Sequence, residues 1–481
     1  MKWRVVAVAV AAIALTSCTV GPKYQTPAVP TPPAYKEAPP ASFQGGKGWT
    51  LAHPDDSLMR GKWWELFGDP QLNALEDQVD AANQTLKVAA ANYQQARANV
   101  RYNRSALYPT IGTSPSISNE RLSSNRPYAL GNYETTGDFV LPIDMNYEVD
   151  LWGRIRRAIE AAKQQAQASA ADLETVKLSL HAELAIDYYE ARSADEQKRI
   201  LDDTLVAYTK ALDLTRNRFL GGIAAKAEVA QAQTQLDTTQ AQDIDVAVAR
   251  AQYEHAIAVL IGKPPESFAL APMPLIEDQT LPVIPIGVPS LLLQRRPDIA
   301  MAERQMAAAN EEIGIARAAF FPQLMLSATG GLEGSNISNW FNWPSRFWAV
   351  GPTMLETIFD AGRRRAESES AQAGYDATVA NYRQATLSAF EQVEDNLSAL
   401  RILEQEAAKQ HEATLAAEDS VQLSTNRYKG GLVTYLEVIT AQSIALSNQR
   451  TEADLIRRRM EASVLLIKAL GGGWDRSKLP T

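Results

Sequence analysis

The chain repeats itself at a fixed distance, and this repeat limits its possible folds more than any other feature. A shift of 209 residues, without a gap, places LTRNRFLGG at 214–222 on LSTNRYKGG at 423–431. The same shift places Glu228 on Glu437. A fixed period of this kind indicates two copies of one structural unit. Each copy reads as a helix, two extended segments, a very long helix, a glycine break and a returning helix.

The very long helices exceed what an ordinary globular core requires. Residues 153–219 and 362–428 each contain few glycines and no proline. At 1.5 Å per residue, a helix of that length reaches about 100 Å. The glycine pairs Gly221-Gly222 and Gly430-Gly431 follow, and glycine permits the left-handed backbone that a reversal needs. We expect both reversals, the tips of two helical hairpins, to lie together.

A further helix is predicted before the first extended segments. Apolar residues recur there at every third or fourth position, which is the spacing of a coiled-coil seam. The seam is formed by Leu72, Leu75, Val79, Ala82, Leu86, Ala89, Tyr93, Ala96 and Val100. The pattern predicts a single helix that packs against partner helices.

The extended segments alternate apolar and polar residues. The alternation is clear over 139–149 and 323–333 and weaker over 110–120 and 345–359. A soluble sandwich gives the same period of two. Here the strands come in two pairs set between long helices, and each can supply the 9 to 11 residues of a transmembrane strand. Since no stretch after residue 18 resembles a transmembrane helix, only a closed barrel could cross a membrane.

Closing such a barrel requires several copies of the chain. Single-chain barrels begin at about 8 strands, and four strands would leave two edges unpaired in lipid. A homotrimer would supply twelve strands, and a dimer is also arithmetically possible. The predicted fold class is therefore mainly α with transmembrane β.

The first eighteen residues have the pattern of a bacterial lipoprotein signal. Lys2 and Arg4 precede an apolar run at 5–15, and the only cysteine of the chain, Cys18, follows. The run is too short to span a bilayer, so we expect its removal and lipidation of Cys18. The alternative is an ordinary buried cysteine. Thr19 in place of an aspartate favours the outer membrane.

Six regions follow from these patterns: a signal peptide (1–17), a lipid-anchored proline-rich segment, the first repeat, a linker, the second repeat and a C-terminal tail. Prolines between 22 and 40 forbid helix and indicate an extended leash or wrap. The predicted bounds of the other five regions are 18–60, 61–265, 266–290, 291–472 and 473–481.

Nothing in the residue inventory predicts catalysis, a cofactor or a metal. A net charge of -9 and a pI near 5.3 argue against nucleic acid as a partner. His181 with Glu183 and Asp187 is the nearest approach to a metal cluster, but positions i and i+6 share a helix face poorly. We interpret these three as solvated helical residues. No glycine-rich phosphate loop follows a strand.

The chain resembles the TolC and OprM type of outer-membrane efflux protein, in its lipoprotein (NodT-like) branch. The resemblance covers the whole chain after the signal and includes the paired Asn-Arg-(Phe/Tyr)-x-Gly-Gly tips. Its other specific stretches are CTVGPKY at 18–24, WWELFGDP at 63–70, RRPDI at 295–299 with Ala302-Glu303, and AFFP at 319–322.

This resemblance implies the exit duct of a tripartite efflux pump, lipid-anchored in the outer membrane. It implies a homotrimer with a twelve-stranded barrel and a periplasmic tunnel of twelve helices. The partners would be a periplasmic membrane-fusion adaptor protein and an inner-membrane transporter of the resistance-nodulation-division class. Export of metal ions or of proteins, and a pore-free coiled-coil scaffold, are the alternatives.

The resemblance also assigns roles at the tips. Glu228, Tyr428 and Glu437 correspond to the periplasmic gate. The adaptor-contact residues would be Arg218, Gly221, Gly222, Arg427, Gly430 and Gly431. Two positions depart from relatives, because Thr440 replaces a common aspartate and Val433 replaces an arginine of the TolC branch. The gate of this chain should therefore carry less charge.

Overall fold

The computed structural model describes residues 19–40, 61–121, 123, 135–275, 282, 284, 286 and 288–480. The signal segment and Cys18 lie outside these residues, as does part of the predicted linker. Eight α-helices and five β-strands are present in the described part. The helices are α1 (Pro70–Ala82), α2 (Gln84–Ser105), α3 (Arg154–Leu220), α4 (Lys226–Leu260), α5 (Leu292–Arg295), α6 (Pro297–Ala318), α7 (Arg363–Lys429) and α8 (Tyr435–Ala469). The strands are β1 (Thr110–Gly112), β2 (Ser116–Glu120), β3 (Thr136–Val149), β4 (Gln323–Gly334) and β5 (Arg346–Leu355).

The four helices of the two hairpins follow the predicted repeat in both length and position. Helices α3 and α7 each have 67 residues, and α4 and α8 each have 35. Both members of each pair begin 209 positions apart (154 to 363 and 226 to 435). Each long helix starts after a carboxylate, Asp150 or Asp360, that accepts hydrogen bonds from backbone N–H groups of the first turn. An anionic cap of this kind satisfies donors that otherwise lack partners.

The single helix predicted from the seam is two helices. Asn83 separates α1 from α2 with an extended backbone (φ −60°, ψ 127°). Its side-chain oxygen accepts from the N–H of Leu86, and its side-chain nitrogen donates to the carbonyl of Leu260. The prediction of one continuous helix was wrong because these side-chain bonds stabilise an extended backbone at Asn83, and apolar spacing does not report such bonds.

The chain divides into two compact units, each containing parts of α3 and α7. The sheet unit holds Asn92–Ser169, Met301–Tyr382 and the described part of Met1–Ala28. The tip unit holds the described parts of Val29–Ala91, Ala170–Ala300 and Arg383–Thr481. Among the described residues, no helix is both long and apolar enough to span a membrane.

The sheet of the first unit joins the two halves of the chain. All of its pairings are antiparallel, with β3 pairing β1, β2 and β4, and β4 pairing β5. The central β3–β4 pairing runs from Phe139 opposite Gly334 to Val149 opposite Leu324. Among the described residues, the outer edges of β1, β2 and β5 have no partner strand. Several apolar side chains of β5 are exposed, including Trp348 and Val350.

The prediction of four strands differs from the five observed. The predicted strand at 110–120 is divided into β1 and β2, but both pair with β3 in one register, Gly112 opposite Asp144 and Ser116 opposite Val140. Pro115 and Pro142 lie at the interruption, and neither has an N–H to donate to the ladder. The two short strands therefore form one interrupted line of pairing.

The N-terminal proline-rich segment is extended over 19–40 and packs along each unit. In the sheet unit, Tyr24 donates to the carboxylate of Glu303 at 2.5 Å, and Arg157 donates to the carbonyl of Pro22 at 3.2 Å. In the tip unit, Arg401 donates to the carboxylate of Glu37 at 2.6 Å. The sequence predicted either a free leash or a segment wrapped along the protein, and these contacts match the wrapped form.

Candidate functional site: the helical tips

The two tips reverse the chain with the same backbone geometry. Gly222 and Gly431 have φ of +74° and +75°. Their N–H groups donate to the carbonyls of Phe219 and Tyr428, residues that are themselves 209 positions apart. Glycine is suited to both positions because a β-carbon makes this left-handed backbone costly by about 1 to 2 kcal/mol.

The ring of Tyr428, at the end of α7, is buried against the tip formed by α3 and α4. The residue is 2% exposed. Its hydroxyl donates to Glu228 Oε2 at 3.2 Å and lies 3.4 Å from Thr215 Oγ1. The hydroxyl of Thr215 already donates to the carbonyl of Ala211, so the carboxylate is the stronger acceptor for the tyrosine proton. Burial raises the pKa of Tyr428, which keeps the hydroxyl protonated as a donor.

Arg218 holds the same tyrosine from the other side. Its guanidinium carbon lies 4.5 Å from the centre of the Tyr428 ring, within the range of a cation–π contact. Its Nη1 donates to the carbonyl of Tyr428 at 2.8 Å and to that of Lys429 at 3.4 Å. These carbonyls belong to the last turn of α7 and have no partner inside the helix. Arg218 of the first hairpin therefore caps the long helix of the second.

An apolar cluster beneath the tips joins the two hairpins. Tyr435 contributes a ring whose centre is 5.3 Å from that of Tyr428. The other buried members are Tyr208, Leu212, Ala232, Leu236 and Val438. Such aromatic pairs contribute about 0.5 to 1.5 kcal/mol beyond the area they bury. Packing therefore fixes the position of the Tyr428 hydroxyl.

Glu437 lies in a different environment from Glu228. Its carboxylate accepts from Arg427 Nη1 at 3.2 Å, and the side chains of the two residues are 49% and 57% exposed. An exposed pair of this kind adds little stability. Its charges remain available to solvent or to another chain.

The structure brings the predicted tip residues into one region. Tyr428 contacts both Glu228 and Arg218, and Glu437 pairs with Arg427. Gly221, Gly222, Gly430 and Gly431 form the two turns. Sequence reasoning missed Thr215, whose only signal was the hydroxyl residue Ser424 at the equivalent repeat position. It also missed that Arg218 caps α7.

The interpretation of His181 as a solvated residue was wrong, whereas Glu183 is exposed as expected. His181 is buried, with ring Nδ1 2.6 Å from Glu76 Oε2 and Nε2 3.2 Å from Asp80 Oδ1. Trp64 stacks on the imidazole with ring centres 4.3 Å apart. Both carboxylates come from α1, more than a hundred positions from the histidine, so local spacing could not predict the pairing. In the described part of the chain, no group of three or more His, Cys, Asp or Glu residues could hold a metal ion.

The pair of Glu76 and His181 should make stability depend on pH. Burial raises the pKa of Glu76 to about 7, although its bond to His181 opposes the shift. A raised pKa contributes stability that is fully present below the unfolded pKa of about 4.5 and is lost as pH rises through about 7. The apparent Tm should therefore fall between pH 5 and pH 8 in the native chain, and fall less in Glu76→Gln. The contribution is at most about 3 kcal/mol.

Thermal melts followed by circular dichroism at both pH values would measure this difference. Glu65→Gln, which changes an exposed carboxylate of the neighbouring turn, is the control and should keep the native pH dependence. Parallel pH profiles for the native chain and Glu76→Gln would contradict the expectation.

Comparison with known proteins gives one consistent result. Residues 75–263 and 288–472 match the family model described as outer membrane efflux protein. The toluene efflux pump outer membrane protein TtgC of Pseudomonas putida is 30% identical over 475 residues, which cover 98% of this chain and 96% of TtgC. The cation efflux system protein CusC of Escherichia coli is 30% identical over 468 residues, covering 97% and 98%. The solved outer-membrane channel OprN is 30% identical with a TM-score of 0.86, covering 95% of this chain and all of that one.

Proposed function

Since the chain belongs to the outer membrane efflux protein family and is an outer-membrane channel for efflux, we propose that its two helical tips form the gate of that channel. The observation that carries the proposal is the position of Tyr428. This residue lies at the tip of the second hairpin, and its ring is buried against the first hairpin, where Glu228 and Arg218 contact it. Hairpins joined in this way cannot separate without breaking those contacts.

The chain works as a homotrimer in this proposal. One chain supplies four strand positions, with β1 and β2 counted as one, and their outer edges are unpaired in the described residues. Closed barrels need about 8 strands or more. Three copies supply twelve strand positions and pair every edge. The exposed apolar side chains of β5 would then face lipid. Lipidation of Cys18 would add a further membrane attachment.

The duct is passive in this proposal, so its lock must be weak enough for a partner to open. A hydrogen bond to a charged group contributes about 1.5 to 3 kcal/mol, and three copies of the bond between Tyr428 and Glu228 would contribute about 5 to 9 kcal/mol if they add. Moving a two-state equilibrium from almost all closed to almost all open takes about 5.5 kcal/mol. A periplasmic adaptor protein that binds the glycine turns and Arg427 could supply that energy.

In this proposal, an inner-membrane transporter of the resistance-nodulation-division class selects the cargo. Two relatives of equal identity are named for toluene and for cations, so overall similarity to either does not select a cargo. The tips act on whatever the transporter delivers. Glu437 has a general effect, because exposed carboxylates at a constriction attract cations and repel anions.

We expect Glu437→Ala to weaken cation selectivity. The change removes three carboxylates per trimer and leaves Arg427 without its partner, and both effects favour anions. The measurement is the reversal potential across a planar bilayer that separates unequal salt concentrations. Glu412→Ala, which removes an exposed carboxylate from α7 away from the tip, is the control and should behave as the native channel. An unchanged reversal potential in Glu437→Ala would exclude Glu437 from the conducting path, and the absence of discrete conductance in the native protein would exclude the channel.

A further inference from the structure

The tip backbones of the two hairpins are equivalent, but their side chains are used differently. The seat of Tyr428 on the first hairpin consists of Thr215, Arg218 and Glu228, and we call it the first seat. A shift of 209 positions converts it into Ser424, Arg427 and Glu437 on the second hairpin, which we call the second seat.

The aromatic residue that corresponds to Tyr428 is Phe219. Tyr428 is 2% exposed, whereas Phe219 is 42% exposed. The second seat is likewise open, because the side chains of Arg427 and Glu437 are each about half exposed. One chain therefore contains a filled seat, an open seat and an exposed aromatic residue equivalent to the one that fills the first.

A closed ring places the open seat beside the exposed ring of another copy. This step rests on the proposed homotrimer, in which six hairpins alternate, first and second, around one axis. Each first hairpin meets the second hairpin of its own chain through the first seat. Each second hairpin must then turn its equivalent face to the first hairpin of the next copy.

We propose that Phe219 of one copy occupies the second seat of the adjacent copy, with its ring against Arg427. This contact repeats the stacking of Arg218 on Tyr428 seen within the chain. The bonding of the glutamates agrees with it. Where the ring has a hydroxyl, that hydroxyl donates to Glu228, and where the ring is phenylalanine, Arg427 donates to Glu437 instead.

The six joints of the tip ring are consequently of two kinds. The three joints within chains each contain a hydrogen bond from a ring hydroxyl to a carboxylate, and the three joints between chains lack it. Opening therefore begins between copies, where Phe219 leaves the second seat, and is completed when the bond between Tyr428 and Glu228 breaks within each chain.

Photo-crosslinking of the purified full chain tests the contact. The photoreactive amino acid p-benzoylphenylalanine at position 219 should join two copies under ultraviolet light, and peptide mass spectrometry should place the adduct within 424–437. The same amino acid at Leu220 is the control, because Leu220 is 80% exposed and its equivalent Lys429 is also exposed. It should give little adduct in that segment.

Native mass spectrometry of the same sample separates two failures. A trimer without the adduct at 424–437, or with equal adducts from 219 and 220, overturns the contact and leaves the channel proposal standing. A protein that is not trimeric overturns both.

A gain of function gives a second test. Phe219→Tyr adds a hydroxyl where the second seat offers Glu437, so the closed-to-open ratio in planar bilayers should rise at least tenfold. In a Glu437→Ala background the same change should have no effect, because its acceptor is gone. A rise of equal size in both backgrounds, or no rise in either, would contradict the position of Phe219.

Discussion

Replacing Tyr428 with phenylalanine should shift the channel strongly toward its open state. The change keeps the ring, its packing on Tyr435 and its contact with Arg218, and removes only the hydroxyl that donates to Glu228. Three lost bonds of at least about 1.5 kcal/mol each would lower the closed-to-open ratio by about a thousandfold if they add. Single-channel recording in planar bilayers would measure the open probability.

The partner residue should give the same result. Glu228→Ala removes the acceptor of the same bond, so its open probability should resemble that of Tyr428→Phe. The double variant should differ little from either single one, because both changes remove one interaction. Tyr435→Phe is the control, since it deletes a hydroxyl from the adjacent ring and leaves the bond to Glu228 in place. If all of these variants close as the native channel does, the gate does not lie at the tips.

Replacing Gly471 with alanine should abolish the accumulation of assembled protein. Gly471 follows α8 with φ of +94°, and a β-carbon there would lie 2.1 Å from the carbonyl oxygen of Arg295. The atom that this β-carbon would meet belongs to the backbone of Arg295 and not to a flexible side chain, so the backbone itself must move. The repeat reproduces the arrangement at Gly262, where a β-carbon would lie 2.6 Å from the carbonyl oxygen of Ala82.

Gly222→Ala separates the cost of the left-handed backbone from the cost of the close approach to a neighbouring carbonyl. Gly222 has a similar left-handed backbone at +74°, but a β-carbon there meets nothing within 4 Å. The substitution should therefore cost only about 1 to 2 kcal/mol of local strain and leave the trimer level near normal. Equal trimer levels for Gly471→Ala and Gly222→Ala on a non-denaturing gel would show that the approach to Arg295 does not matter.

Several features could be predicted because each depends on local chemistry. The absence of proline over 153–219 predicted the first long helix, and the shift of 209 residues then required an equal helix at 362–428. The glycine turns followed from the same repeat. Alternating polarity predicted β3 and β4 within a few residues of their bounds.

Other features depend on residues far apart in the sequence, and no local pattern reports them. Tyr428 and Glu228 are 200 positions apart, and a family resemblance, not spacing, assigned both to the gate. The sequence around His181 is typical of a solvated polar residue, because nothing near it shows that α1 places Glu76 in contact with the ring. The break at Asn83 was missed because its carbonyl partner, Leu260, lies on another helix. In each case a polar side chain found a distant partner.

The central pairing of β3 with β4 determines when the sheet can form during synthesis and export. Val149 pairs with Leu324 and Phe139 with Gly334, so partners are separated by 175 and 195 residues respectively. A nascent first half therefore carries β3 with one edge open until residues 323–334 have emerged. Open strand edges invite aggregation, and pairing over such distances forms slowly. Cutting the chain between β3 and β4 should therefore prevent sheet assembly unless the two parts are supplied together.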